Sequence, residues 1–132
     1  MRITADTNVL VRVLVSDDEA QSQAAIEALE NAELVAVSLQ SLCELCWVLM
    51  RSYEVPRADI AKAIRGLMQT RHVVLNRPAA EAGLAMLEAG GDFADGVIAA
   101  EGAWLGGEMF VSFDRKAVLL MAKQGKQAKL LS

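Results

Sequence analysis

The chain has 132 residues, 54% of them hydrophobic, and a formal charge of -4 at pH 7. That length suits one domain with a real core, residues 1-132, and is too short to promise two. The acidic balance argues against a protein that holds nucleic acid by bulk charge alone, and no apolar run reaches the roughly 20 residues of a membrane span.

Arg2 to Ala5 reads as a first strand that meets Asp6, Thr7-Asn8 and an apolar stretch, so a carboxylate stands where strand turns into helix. Asp17-Asp18-Glu19 opens an amphipathic helix with Ala24, Ala25 and Leu29 on one face, ending near Asn31; acids suit its first turn. A strand over Leu34 to Val37 follows, then Ser41 to Tyr53, apolar nearly all round, as expected of a helix buried on several sides. Pro56-Arg57-Ala58-Asp59 opens a helix carrying Ile60, Ala63, Ile64 and Leu67, and His72 to Leu75 reads as a strand. Pro78 to Leu87 is the next helix. Gly90-Gly91 separates it from another that runs from Asp92 through Trp104 to Gly106-Gly107. Met109 to Phe113, Asp114, a helix and a last strand near Ala128 to Leu131 close the pattern. Strands alternating with helices predict a parallel sheet with helices on both faces. Ligands of such sheets bind outside the carboxyl ends of the strands, where Asp6 and Asp114 fall.

Four acids therefore carry the chemical interest: Asp6, Glu44, Asp95 and Asp114. If they converge on one sheet edge they need a cation, since like charges roughly 4 Å apart repel by about 1 kcal/mol even in bulk water. Each aspartate also has a structural explanation. Asp6, Asp92 and Asp114 precede helices, and Asp is a preferred N-cap; Asp95, three residues after Asp92, could simply complete a first turn. Glu44 resists that explanation, being the only charge between Glu33 and Arg51. A buried unpaired carboxylate is costly, so it reaches either a cation or an arginine such as Arg12 or Arg51. Oxygen ligands suit Mg²⁺, for which Mn²⁺ can substitute, and the chemistry that follows is phosphodiester hydrolysis. Thr7, Asn8 and Ser112 would orient the acids or bound water, with Asp92 beside them.

These segments resemble a known family. Ala5-Asp6-Thr7-Asn8-Val9-Leu10, Ser41-Leu42-Cys43-Glu44-Leu45, Asp92-Phe93-Ala94-Asp95-Gly96-Val97-Ile98-Ala99-Ala100 and Phe113-Asp114-Arg115-Lys116 are similar to the four acidic motifs of PIN-domain ribonucleases, in order along nearly the whole chain. The short single-domain form resembles the VapC toxins of toxin–antitoxin systems. The resemblance implies a three-layer α/β/α fold around a central, mostly parallel sheet of four to five strands. It also implies a Mg²⁺-dependent endoribonuclease acting on tRNA, rRNA or mRNA. Asp6, Glu44, Asp95 and Asp114 would be its metal-binding catalytic acids, and the protein a homodimer inhibited by a cognate VapB-like antitoxin. Gly96 stands where the family more often has alanine, and Glu101 adds a charge that could be a fifth carboxylate.

The remaining signals read as structure. Cys43 and Cys46 lie inside a helix rather than at its start, so the C-x-x-C match is packing rather than redox chemistry. Their placement fits a reducing cytoplasm, and Arg2 and Asp6 interrupt any signal-peptide core. His72 has no second histidine to join in a metal or nucleophile pair. Trp47, Met50, Tyr53 and Trp104 are expected in the core or in dimer contacts. Arg115, Lys116 and Lys123 are either contacts for an RNA backbone or a solvated helix face. Two rival functions are an aspartyl phosphatase or phospho-receiver, and a catalytically silent binding module. Thr7-Asn8 lacks the following acid that a phosphatase wants, Asp17-Asp18 comes too late for a receiver, and the full set of acids counts against a silent module.

Overall fold

The alternation of short β-branched runs with longer amphipathic ones is realised along the whole chain: the computed structural model describes residues 1–132 as five strands and seven helices. They gather into two units, Met1–Asn76 and Arg77–Ser132.

The first unit comprises β1 (Arg2–Thr4), α1 (Thr7–Leu14), α2 (Glu19–Asn31), β2 (Leu34–Ala36), α3 (Leu39–Arg51), α4 (Arg57–Gln69) and β3 (Val73–Val74). The three strands are parallel in the order β1-β2-β3, with Ile3 opposite Val35 and Val35 opposite Val73. Parallel neighbours require crossover connections, and each crossover here is a helix pair. Val35 on the central strand, Leu10 on α1, Leu42 and Leu45 on α3, and Ile60 and Ile64 on α4 are fully buried. Each stabilises by about 1.5–3 kcal/mol relative to an exposed side chain.

The second unit comprises α5 (Arg77–Glu88), α6 (Phe93–Trp104), β4 (Phe110–Ser112), α7 (Arg115–Lys123) and β5 (Ala128–Leu130). Its two strands are parallel, with Phe110 opposite Ala128 and Ser112 opposite Leu130. Met86 on α5 packs with Ala117, Leu120 and Met121 on α7. Gly90, at φ 98°, ends α5 in the left-handed conformation that favours glycine, and the Gly91 N–H donates to the Met86 carbonyl at 2.8 Å. Helices α5 and α6 meet backbone to backbone. A Cβ on Gly96 would lie 2.3 Å from the Ala82 carbonyl oxygen, and one on Gly83 2.6 Å from the Phe93 ring.

Several expectations need correction. Helix α3 starts at Leu39 rather than Ser41, because the Ser38 hydroxyl accepts the Ser41 N–H and caps it. It is also not buried all round: Trp47 is 60% exposed, with the Arg51 guanidinium 5.5 Å from its ring centroid. Trp104 at the end of α6 is likewise outside the core. On α2 the buried face holds Ser22, Ala25 and Leu29, while Ala24 is exposed. Ser22 is accommodated because its hydroxyl donates to the Val15 carbonyl at 3.1 Å. Backbone hydrogen bonds join the strands as three and two instead of as one ladder of four to five. With strands of two or three residues, few backbone groups are on offer for pairing.

Candidate active site

In the first unit Asp6 occupies the turn between β1 and α1. Its backbone is extended, and its Oδ1 accepts the Val9 N–H at 3.1 Å, so it caps α1. The cap reading of Asp6 is therefore correct, and Oδ2 is left over for another partner. Thr7, the first residue of α1, donates its hydroxyl to Glu44 Oε2 on α3 at 3.0 Å. Glu44 Oε1 accepts from the Gln40 amide one turn earlier at 3.3 Å.

Glu44 is exposed rather than buried, and neither arginine proposed for it is its partner. Arg12 pairs with Asp17, and Arg51 lies over Trp47. The apolar run around Glu44 misled because helix faces differ: Leu42, Leu45 and Leu49 take the core, leaving position 44 to solvent. Gln40 was findable in the sequence as a Gln-to-Glu pair at i, i+4. Asp17 also accepts the Tyr53 hydroxyl at 2.9 Å. That bond, together with Arg12, holds the Asp17 carboxyl below its usual range, while Asp17 raises the pKa of Arg12. No local pattern announces a contact between residues 36 positions apart. A groove of about 540 Å³ runs along α1 and α2, lined by Asp6, Asn8, Val9, Arg12, Gln21 and neighbouring alanines.

In the second unit Asp92 caps α6, its Oδ1 accepting the Ala94 N–H at 3.2 Å. Asp95 in the first turn of α6 is half-buried and takes no hydrogen bond from the protein. Burial, then the charges of Asp92 and Asp114, push its carboxyl above the usual range. Asp114 caps α7: its Oδ1 accepts the Lys116 and Ala117 N–H groups at 3.0 and 3.2 Å, leaving Oδ2 open. Ser112 Oγ accepts the Asp114 N–H at 2.9 Å and so shapes the turn that presents the acid. Arg115, Lys116 and Lys123 are exposed on α7.

The PIN domain family model matches residues 3–120 of the chain. The chain belongs to the PIN domain family. The match spans both units and all four acids, and membership brings with it the three-layer α/β/α PIN-like fold and a nuclease-type function. No curated protein matches the chain. In this PIN domain, Asp92 and Asp114 act on Asp95, whereas Glu101, nearly two turns further along α6, does not. Gly96 in place of the commoner alanine is required by the contact with Ala82. His72 is satisfied by the Leu29 carbonyl at 3.0 Å from Nε2, and Cys46 is buried on α3. No helix is long and apolar enough to cross a membrane.

The acids offer only hard oxygen donors, the chemistry that Mg²⁺ takes. Within neither unit do three or more His, Cys, Asp or Glu side chains stand close enough to hold one ion between them. An ion within either unit would therefore take at most two of these carboxylates directly and would complete its shell with water.

Proposed function

We propose that this PIN domain is a Mg²⁺-dependent endoribonuclease, the toxin component of a VapBC-type pair, with Asp6, Glu44, Asp95 and Asp114 as its metal-binding acids. The observation that carries the reading is the state of the aspartates. Asp6 and Asp114 each spend one oxygen on a helix cap and keep the other open, and Asp95 is half-buried with no donor at all. A cation supplies what such a carboxylate lacks, and when bound it lowers the pKa of water and offsets charge on the phosphate. Thr7 holds the Glu44 carboxylate in place, and Ser112 holds the Asp114 turn. Asn8 at the groove and Asp92 beside Asp95 support them.

The reaction is attack of water on phosphorus with release of the 3′-oxygen of the preceding nucleotide, with no covalent intermediate. No Ser-His or Cys-His pair competes for the nucleophile's role, since the single histidine is engaged by a backbone carbonyl. The substrate is cellular RNA (tRNA, rRNA or mRNA), chosen by shape and exposed loops rather than by bulk charge, with Arg115, Lys116 and Lys123 meeting its backbone. The protein works in the cytoplasm as a homodimer and is restrained by a VapB-like antitoxin. Exposed Trp47, Trp104 and Leu105 supply apolar surface for such partners.

The test is to incubate the purified protein with total RNA in Mg²⁺ beside Asp6→Asn and Asp95→Asn. Discrete fragments that disappear with EDTA and in both variants are expected. Equal cleavage by the variants, or none by the parent, overturns the reading.

A further inference from the structure

The chain has three phenylalanines with different fates. Phe93 is fully buried against Gly83, and Phe110 packs on the cluster around Met86. Phe113 stands 75% exposed in the turn between β4 and α7, immediately before Asp114. A ring with no polar handle gains nothing from water, and a turn can be built from many small polar residues instead. We propose that Phe113 is a base-stacking residue, the platform on which the PIN domain seats an unpaired nucleobase of its RNA substrate next to Asp114. This rests on the nuclease reading.

Three observations support it. The residues that flank Phe113 along the chain are charged or polar, with Ser112 and Asp114 on either side and Arg115 and Lys116 exposed beyond. The Arg115 and Lys116 flank suits a phosphate backbone, while Ser112, Asp114 and Lys116 are residue types depleted at protein–protein contacts. The turn is also rigid. The Leu131 N–H donates to the Ser112 carbonyl at 2.8 Å, Ser112 Oγ accepts from Asp114, and Asp114 caps α7. With the backbone fixed, only the two side-chain torsions of Phe113 remain to be ordered when a base lands on the ring, a small loss of freedom. Finally, Phe113 lies outside the hollow of about 290 Å³ that Ile98, Met109 and Val111 line on the same unit, so it is not part of that surface. Stacking needs a splayed-out base and tolerates any of the four, which gives preference for single-stranded segments with little sequence reading.

The experiment measures fluorescence anisotropy of a 5′-labelled single-stranded RNA of mixed sequence, and of the matching duplex, in Mg²⁺. Asp95→Asn, expected to bind without cutting, is the background to which Phe113→Ala, Phe113→Leu and Phe113→Trp are added. Phe113→Ala and Phe113→Leu are expected to bind the single strand roughly 5- to 150-fold more weakly, Phe113→Trp to restore binding, and the duplex to be little affected. Circular dichroism melts should not move, because the ring touches solvent. In the cleaving parent, Phe113→Ala should raise KM more than it lowers kcat. Leucine binding as well as phenylalanine overturns stacking. So does unchanged RNA affinity in Phe113→Ala accompanied by a change of oligomeric state in light scattering, which would make the ring a protein contact. If the parent cleaves RNA and Phe113→Ala binds and cleaves equally well, only this inference falls. A parent that neither binds nor cleaves removes the nuclease reading itself.

Discussion

Asp17 in the first unit and Asp95 in the second are the same residue type under opposite forces. Asp17 accepts the Tyr53 hydroxyl and pairs with Arg12, and its carboxyl is held below the usual range. Asp95 is half-buried without a donor, beside Asp92 and Asp114, and its carboxyl is held above that range. The first aspartate is finished by the fold. The second is left unfinished, and its negative surroundings have a use only if something positive arrives.

The sharpest way to break that contrast is to remove the second carboxylate. Asp95→Asn should lower RNA cleavage by at least about 100-fold, since even groups behind the metal ligands matter by 10–100-fold. Wild-type protein should gain about 2.7 kcal/mol from Mg²⁺ at a hundred times its Kd, and the variant much less; thermal melts with and without Mg²⁺ read this out. Retained cleavage with retained Mg²⁺ stabilisation would place the ion elsewhere. Next in size is Gly96→Ala, which puts a Cβ against the Ala82 carbonyl. Overpacking of this kind costs about 1–3 kcal/mol, so the guanidinium midpoint should fall, loosening the turn that carries Asp92 and Asp95.

The pH dependence separates the two aspartates by sign. The raised pKa of Asp95 means that its ionisation opposes folding, so its stabilising contribution is full below the usual carboxylate range and is lost as pH rises through its folded pKa. Without metal, Asp95→Asn should melt above wild type at pH 7, with the gap closing below about pH 4. For Asp17 the contribution is present above the usual range and lost as pH falls through its lowered pKa. Asp17→Asn should therefore melt below wild type at pH 7, with that gap also closing in acid. Melts from pH 3 to 7 that move both variants in the same direction would remove the distinction. The smallest effect is expected of Thr7→Val, which frees Glu44 from one exposed hydrogen bond. About 0.5–1.5 kcal/mol is at stake, measurable as a several-fold loss of cleavage.

Much of this was legible in the residues because it is local. The helix starts at Asp6, Asp92 and Asp114 are written in a few consecutive positions, and all three prove to be caps. The alternation of elements likewise follows from periodicity. What escaped depends on faces and distant partners. Glu44 looked buried because its neighbours are apolar, yet it lies on the outer side of α3. Trp47 and Trp104, expected in the core or in dimer contacts, lie outside the core. Asp17 found Tyr53, a contact across 36 residues that no window contains. Ladder pairing is long-range too, and strands of two or three residues carry little register information.

The double duty of the capping aspartates constrains how the protein could lose its activity by descent. Asp6 and Asp114 each anchor the first turn of a helix as well as offering an oxygen outward. Asn, Ser or Thr would keep the anchor, while Ala forfeits about 1 kcal/mol of it. Asp95 anchors nothing, and without a cation its charge is a burden to the folded chain. A lineage released from selection for cutting RNA would therefore shed Asp95 first and freely, and would carry Asn, Ser or Thr at positions 6 and 114 long afterwards. The order of decay among relatives of this chain would record which carboxylates the fold itself needs.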